Sequence, residues 1–215
     1  MTAPALRFDG AEDAPWTLVL AHGAGAGMDS PFLVDLSGRL ARADVRVARF
    51  EFPYMAARRR GERRPPDRVP VLRATWMSVV AAVRQRMDGR GRLAIGGKSM
   101  GGRIASMVAD EAATDALVCI GYPFHPPRQP ARLRTAHLAT LRTPTLIVQG
   151  ERDAFGSRAE VGGYALAPAI EIVWAPDGDH SLAPRAASGR TLADNLAFAA
   201  DAVVRFLARA PDARA

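Results

Sequence analysis

The sequence predicts an α/β protein: one mostly parallel sheet of about six or seven strands with helices on both faces. Three observations predict it. Short β-branched runs alternate with longer helix-periodic stretches along the whole chain. Several of the runs end in glycine- or proline-bearing turns. No internal repeat, low-complexity tract or linker interrupts the alternation, so residues 1–215 are expected to form a single domain.

The first clear strand covers residues 16–20 and ends in His22-Gly23-Ala24-Gly25-Ala26-Gly27. A helix follows over 31–42, with Pro31 in its first turn and Phe32, Leu33, Leu36 and Leu40 on one face. Residues 45–52 form the next strand, ending at Pro53. The polar, arginine-rich stretch 54–70, broken by Pro65-Pro66, is expected to be a loop. A helix over 71–87 is stopped by Gly89 and Gly91. The strand 92–96 runs into Gly97-Lys98-Ser99-Met100-Gly101, and a helix continues from there to about Ala113. Three strands remain: 116–120; 145–148, followed by Gln149-Gly150-Glu151-Arg152-Asp153; and 169–174. A helix over 191–209 ends the pattern, and Leu6-Arg7-Phe8 is a candidate edge strand.

Composition bounds the function. With 215 residues, 48% hydrophobic and 7% aromatic, the chain is long and apolar enough to bury a sheet-based core. No apolar run approaches the roughly 18 residues of a membrane span. The opening segment MTAPALRFDGAEDAP has acids and prolines where a signal peptide is basic and then apolar. A cytoplasmic protein without membrane attachment is therefore expected. The one cysteine, Cys119, rules out an internal disulfide and suits a reducing compartment. The net charge of +7 comes almost wholly from arginine, Lys98 being the only lysine. No ladder of basic and aromatic residues accompanies it, so nucleic acid is not an expected partner.

The chemistry centres on Ser99. A serine hydroxyl is a poor nucleophile at neutral pH; it needs a base and a position clear of the sheet. A sharp strand-to-helix turn supplies the position, and glycines two residues to either side relieve the crowding it creates, which is the content of G-x-S-x-G. Taken alone, the five residues also suit a glycine-rich turn that merely packs tightly. The order of the partners favours the chemical alternative. In a serine triad on such a sheet an acid follows a later strand and a histidine follows the last, in the order Ser, Asp, His. Asp153 lies just past strand 145–148, and His180 lies past strand 169–174 in Asp177-Gly178-Asp179-His180-Ser181. Both positions fall at strand C-terminal ends, the edge where open α/β sheets place their sites. Asp177 and Asp179 are rival acids. Two backbone N–H groups are expected to form the oxyanion hole, those of Met100 and Ala24. His22 is expected to brace its turn rather than act as a base.

These residues resemble the α/β-hydrolase superfamily from about Trp16 to the last helix. More closely, the chain resembles the KANL/Tex-type predicted hydrolases, near the dienelactone-hydrolase branch. The resemblance is carried by LAHGAGAGMDSPF, RFEFPYMAARRRGERRPPDR, GGKSMGGRIAS, GYPFHPP, TPTLIVQGERDAFG and DGDHSL, in this order. It implies an α/β-hydrolase fold, a catalytic triad of Ser99, Asp153 and His180, and an oxyanion hole at Ala24 and Met100. It does not imply a substrate, and some relatives serve as subunits of complexes. Many superfamily members insert a helical lid between the strands at 116–120 and 145–148. Here the interval has room for a turn and one short helix, so no substantial lid and an open, shallow site are expected.

The expectation is a serine hydrolase acting on a small-molecule ester, thioester or lactone, with no metal or organic cofactor. The alternative is a non-catalytic interaction module that keeps the architecture. Lys98 is expected to hydrogen-bond locally beside the site. Tyr54, Tyr122, His125 and Arg59 are the expected substrate-binding residues. Arg59 belongs to the cluster Arg58, Arg59, Arg60, Arg63 and Arg64, which is either a solvated loop or a basic rim attracting an anionic substrate.

Overall fold

The structure, a computed structural model, describes residues 3–211. Seven strands form one sheet: β1 (Leu6–Asp9), β2 (Trp16–Ala21), β3 (Val45–Phe50), β4 (Arg92–Lys98), β5 (Ala116–Ile120), β6 (Thr145–Gly150) and β7 (Ile170–Ala175). Their spatial order is β1-β3-β2-β4-β5-β6-β7. Only the β1–β3 pairing is antiparallel; the other five are parallel. Strands β2, β3, β5 and β6 are buried along their whole length because both faces of the sheet are covered, as a parallel sheet requires.

One face carries α2 (Pro53–Arg59), α3 (Val69–Met87) and α4 (Met100–Ser106). Their apolar residues join Val19, Phe50, Ile95 and Cys119 in one core, with Phe50 and Trp76 meeting edge-on at 4.8 Å. The other face carries α1 (Pro31–Arg42) and α6 (Leu192–Arg209). There Leu36, Leu40, Leu196, Val203 and Phe206 pack on Leu18, Val118 and Val148. The helical periodicity of α6 is reinforced at its start by a capping box between Thr191 and Asp194.

Two expectations need correction. Residues 54–70 are not all loop, since α2 occupies their first turns. Proline at its first position and the burial of Tyr54, Met55 and Ala57 drive helix formation despite the flanking arginines. The helix after Ser99 is also shorter than expected. Beyond Ser106 the backbone tightens into three-residue turns, Met107 to Ile104 and Val108 to Ala105. The Ser106 hydroxyl donates to the Arg103 carbonyl at 2.7 Å, the local competition by which serine weakens a helix interior. A short helix, α5 (Arg158–Val161), went unanticipated; it is set by a capping box of Ser157 and Glu160.

Between β5 and β6, residues 121–144 carry a single helical turn, Ala136–Thr140. No lid covers the C-terminal edge of the sheet there. Among the described residues no helix is long and apolar enough to cross a membrane.

Candidate active site

Strand β4 delivers Ser99 to the C-terminal edge in the middle of the sheet, between β2 and β5. Ser99 has φ 50° and ψ −116°, a conformation that a residue with a side chain seldom adopts and that needs its surroundings to impose it. The surroundings are close. A Cβ at Gly97 would lie 2.4 Å from the Ala21 carbonyl oxygen, and one at Gly101 would lie 2.6 Å from the same atom. The two glycines thus let β4 and α4 press against the end of β2, and this approach holds the turn sharp.

His180 hangs in the turn after β7. Its Nε2 lies 2.8 Å from Ser99 Oγ and its Nδ1 lies 2.8 Å from Asp153 Oδ2. Asp153, at the end of β6, is fully buried. A buried carboxylate must have its lone pairs occupied, and this one does: Gln149 Nε2 donates to Oδ2 at 2.8 Å and the Phe155 backbone N–H donates to Oδ1 at 2.8 Å. Gln149, also fully buried, is fixed in turn by accepting from the Tyr122 N–H at 2.7 Å. The Phe155 ring stacks on the imidazole, centroids 4.1 Å apart and planes at 28°. The arrangement can pass a proton from a serine hydroxyl to an imidazole whose orientation and tautomer the carboxylate fixes. The rival acids are engaged elsewhere. Asp177 is bound by Arg185 and Arg152, which hold it well below the usual carboxylate range, at about 2. Asp179 accepts the Ser181 and Ala183 N–H groups.

The turn after β2 lies opposite. His22 is buried, its Nε2 accepting the Phe52 N–H at 3.1 Å and its Nδ1 lying 2.7 Å from the Gly23 carbonyl. These contacts define the Nδ1–H tautomer, and burial depresses the pKa. His22 thus acts as a brace between β2 and β3. The Tyr54 hydroxyl donates to the Gly23 and Ala24 carbonyls at 3.3 and 3.1 Å, fixing the peptides beside Ser99. Met100 opens α4, where helix geometry leaves an N–H without an intrahelical acceptor. Ala24, Ser99 and Met100 line one cleft together.

Lys98, preceding Ser99, sends its Nζ across to the His180 carbonyl at 2.5 Å. Burial pushes its pKa down to about 8, against the opposing pull of Asp153 and Asp179. It ties the histidine turn to the strand that carries the serine.

Ser99 stands where two clefts meet. One, of about 430 Å³, contains His180, Lys98, Phe32, Leu33 and Leu192. The other, of about 330 Å³, contains Ala24, Met100, Asp67, Arg103 and Arg134. Ala24, Ser99 and Phe155 belong to both.

The four expected substrate-binding residues are not brought to either cleft. Tyr54 is fully buried, serving as the brace just described, and burial pushes its phenol up to about 12. Tyr122 is fully buried and donates its hydroxyl to the Arg134 carbonyl. His125 is 2% exposed, facing its own neighbour's carbonyl, that of Pro126, and Glu160. Arg59 pairs with Glu51 at 2.6 Å and Asp29 at 2.9 Å on a neighbouring part of the surface. Aromatic residues near a strand end were drawn inward by their apolar area, and the arginine found two carboxylates that sequence distance concealed. Conversely, sequence reasoning missed Gln149, Phe155, Arg103 and Arg134. Phe155 had a local signal, since an aspartate whose side chain captures the N–H two residues on is a common turn; the other three had none.

The comparisons agree with this architecture. The lidless α/β serine hydrolase XC6422 of Xanthomonas campestris is 20% identical, with a TM-score of 0.73 over 96% of this chain and 90% of that one. A dienelactone hydrolase of Anabaena variabilis is 18% identical, with a TM-score of 0.69 over 96% and 93%. The esterase domain of a Rhodothermus marinus protein is 17% identical, with a TM-score of 0.67 over 96% and 92%. At these identities the likeness is one of fold. The sequence profile of the alpha/beta hydrolase domain family matches residues 14–208, and the chain therefore belongs to the alpha/beta hydrolase domain family.

Proposed function

We propose that the protein is a serine hydrolase that cleaves a small ester, thioester or lactone through an acyl-enzyme. The observation that carries this reading is the unbroken chain Asp153–His180–Ser99, with both hydrogen bonds at 2.8 Å. Ser99 Oγ attacks the substrate carbonyl as its proton passes to His180 Nε2, and Asp153 stabilises the imidazolium through Nδ1–H. The N–H groups of Ala24 and Met100 receive the negative charge that develops on the carbonyl oxygen. The bond to the leaving group breaks as His180 returns the proton to it. Water then repeats the sequence and frees the acid. The absence of a lid from residues 121–144 favours small substrates over long acyl chains, whose apolar tails would stay in water.

A fluorophosphonate probe tests the reading. Native protein is labelled and Ser99→Ala, equally folded, is not. Folded native protein that resists the probe and turns over no ester or thioester would leave the alternative, an interaction module on a hydrolase scaffold.

A further inference from the structure

The cleft that holds Met100 has two arginines in its wall, neither ion-paired with a carboxylate among the described residues. Arg103 lies one turn along α4 from Ser99, its N–H bonded to the Ser99 carbonyl at 3.0 Å. Side chains on a helix lean towards its N-terminus, so Arg103 leans towards Ser99. Its Nε is buried without a hydrogen-bond partner, a costly state for a charged group that an incoming anion would relieve. Arg134 reaches the same cleft from the loop between β5 and β6, pinned by its N–H on the Phe124 carbonyl at 2.7 Å and its own carbonyl on the Tyr122 hydroxyl.

No carboxylate among the described residues forms an ion pair with either arginine. Glu111 is taken by Arg73 at 2.7 Å. His137, beside Ser106 and Tyr122, is kept neutral by burial and by Arg103 and Arg73. Asp67, the carboxylate in the cleft wall, accepts the Tyr54 N–H at 2.9 Å and forms no ion pair with either arginine. Its presence disfavours a doubly charged phosphate and leaves room for one negative charge.

The position of His180 orients the substrate. A leaving group must lie where Nε2 can protonate it, and His180 lines the other, apolar cleft. The alcohol or thiol therefore occupies the side of Phe32, Leu33 and Leu192, and the acyl group occupies the side of the arginines. We propose that Arg103 and Arg134 form a carboxylate subsite for the acyl half of the substrate. The substrates are then monoesters or monothioesters of a short dicarboxylic acid, which one water converts to the dicarboxylate, the alcohol or thiol, and a proton. This rests on the serine-hydrolase reading for its chemistry, but the subsite can be tested without turnover.

Monobenzyl glutarate and benzyl pentanoate share chain length and leaving group and differ in the free carboxylate; an alkyl ester also avoids spontaneous attack by that carboxylate. The native enzyme is expected to favour the glutarate ester in kcat/KM by about ten- to a hundredfold, the range of a charge-assisted hydrogen-bonded pair. In Arg103→Gln and in Arg134→Gln, each checked for folding by its melting curve, that ratio falls towards one. Calorimetry with glutarate shows binding to native protein that each variant loses. Equal kcat/KM for the two esters, a ratio unchanged in both variants, or inorganic phosphate binding as well as glutarate overturns the proposal. If neither ester is turned over and the fluorophosphonate fails to label Ser99, the hydrolase reading falls. Glutarate binding lost in the variants would then still establish the subsite, and no binding would overturn it.

Discussion

The two clefts that meet at Ser99 settle charge in opposite ways. On the His180 side the charged groups are engaged: Asp153 accepts from His180, Gln149 and Phe155, and Lys98 is bound to the His180 carbonyl. What remains exposed to a ligand there is largely apolar, from Phe32 to Leu192. On the other side, neither Arg103 nor Arg134 is ion-paired with a carboxylate among the described residues, and the Arg103 Nε has no hydrogen-bond partner. The difference teaches that satisfied charge builds the machinery while unsatisfied charge faces the substrate. Arginine count alone is no guide, since three arginines of the dense cluster around Arg59 already meet carboxylates: Arg59 with Glu51 and Asp29, Arg60 and Arg64 with Glu62.

Substitutions can break this contrast in graded steps. Ser99→Ala removes the proposed nucleophile at the junction of the two clefts, and turnover of every ester should fall on the order of 10⁶-fold, measured with the leaving alcohol by chromatography. Asp153→Asn strikes the engaged side. It should lower kcat about 10⁴-fold with a normal melting temperature, since the amide cannot hold the productive imidazole tautomer. If Asp177→Asn matched that loss, the assignment of the acid would be wrong. Phe32→Ala trims the apolar wall and should raise KM for benzyl esters about three- to tenfold while leaving methyl esters near their native values. At the small end, Arg60→Ala with Arg64→Ala removes exposed, self-paired charge. Urea unfolding should shift by no more than about 0.5 kcal/mol, and the preference for acidic esters should survive intact.

The fold was legible because its signals are local. Apolar runs of strand length, Pro31 at a helix start and glycines around Ser99 each act over a few residues, and together they specify β2, α1 and the turn after β4. The positions of Asp153 and His180 were legible as strand-end residues, because sheet topology converts chain order into proximity. The walls of the site were not. Tyr54 and Tyr122 sit next to strand ends as expected, but apolar area turned both into the core on one face of the sheet, where they brace the loops that form the site. Arg103 and Arg134 are thirty-one residues apart in the chain and meet only because the loop after β5 folds back over α4. Nothing periodic in the sequence marks that return.

The link from Lys98 to the histidine turn has a spectroscopic consequence. It is the chain's only lysine, so isotopic labelling of lysine gives one side-chain ammonium signal, and that signal arises beside Ser99. Its midpoint should fall near pH 8 rather than at the ordinary 10.5. Between those values the unfolded chain binds more protons than the folded one, so stability should rise with pH across that interval. Acylation of Ser99 changes the field around the same nitrogen, and the protein thereby carries a single native beacon for occupancy of its own site.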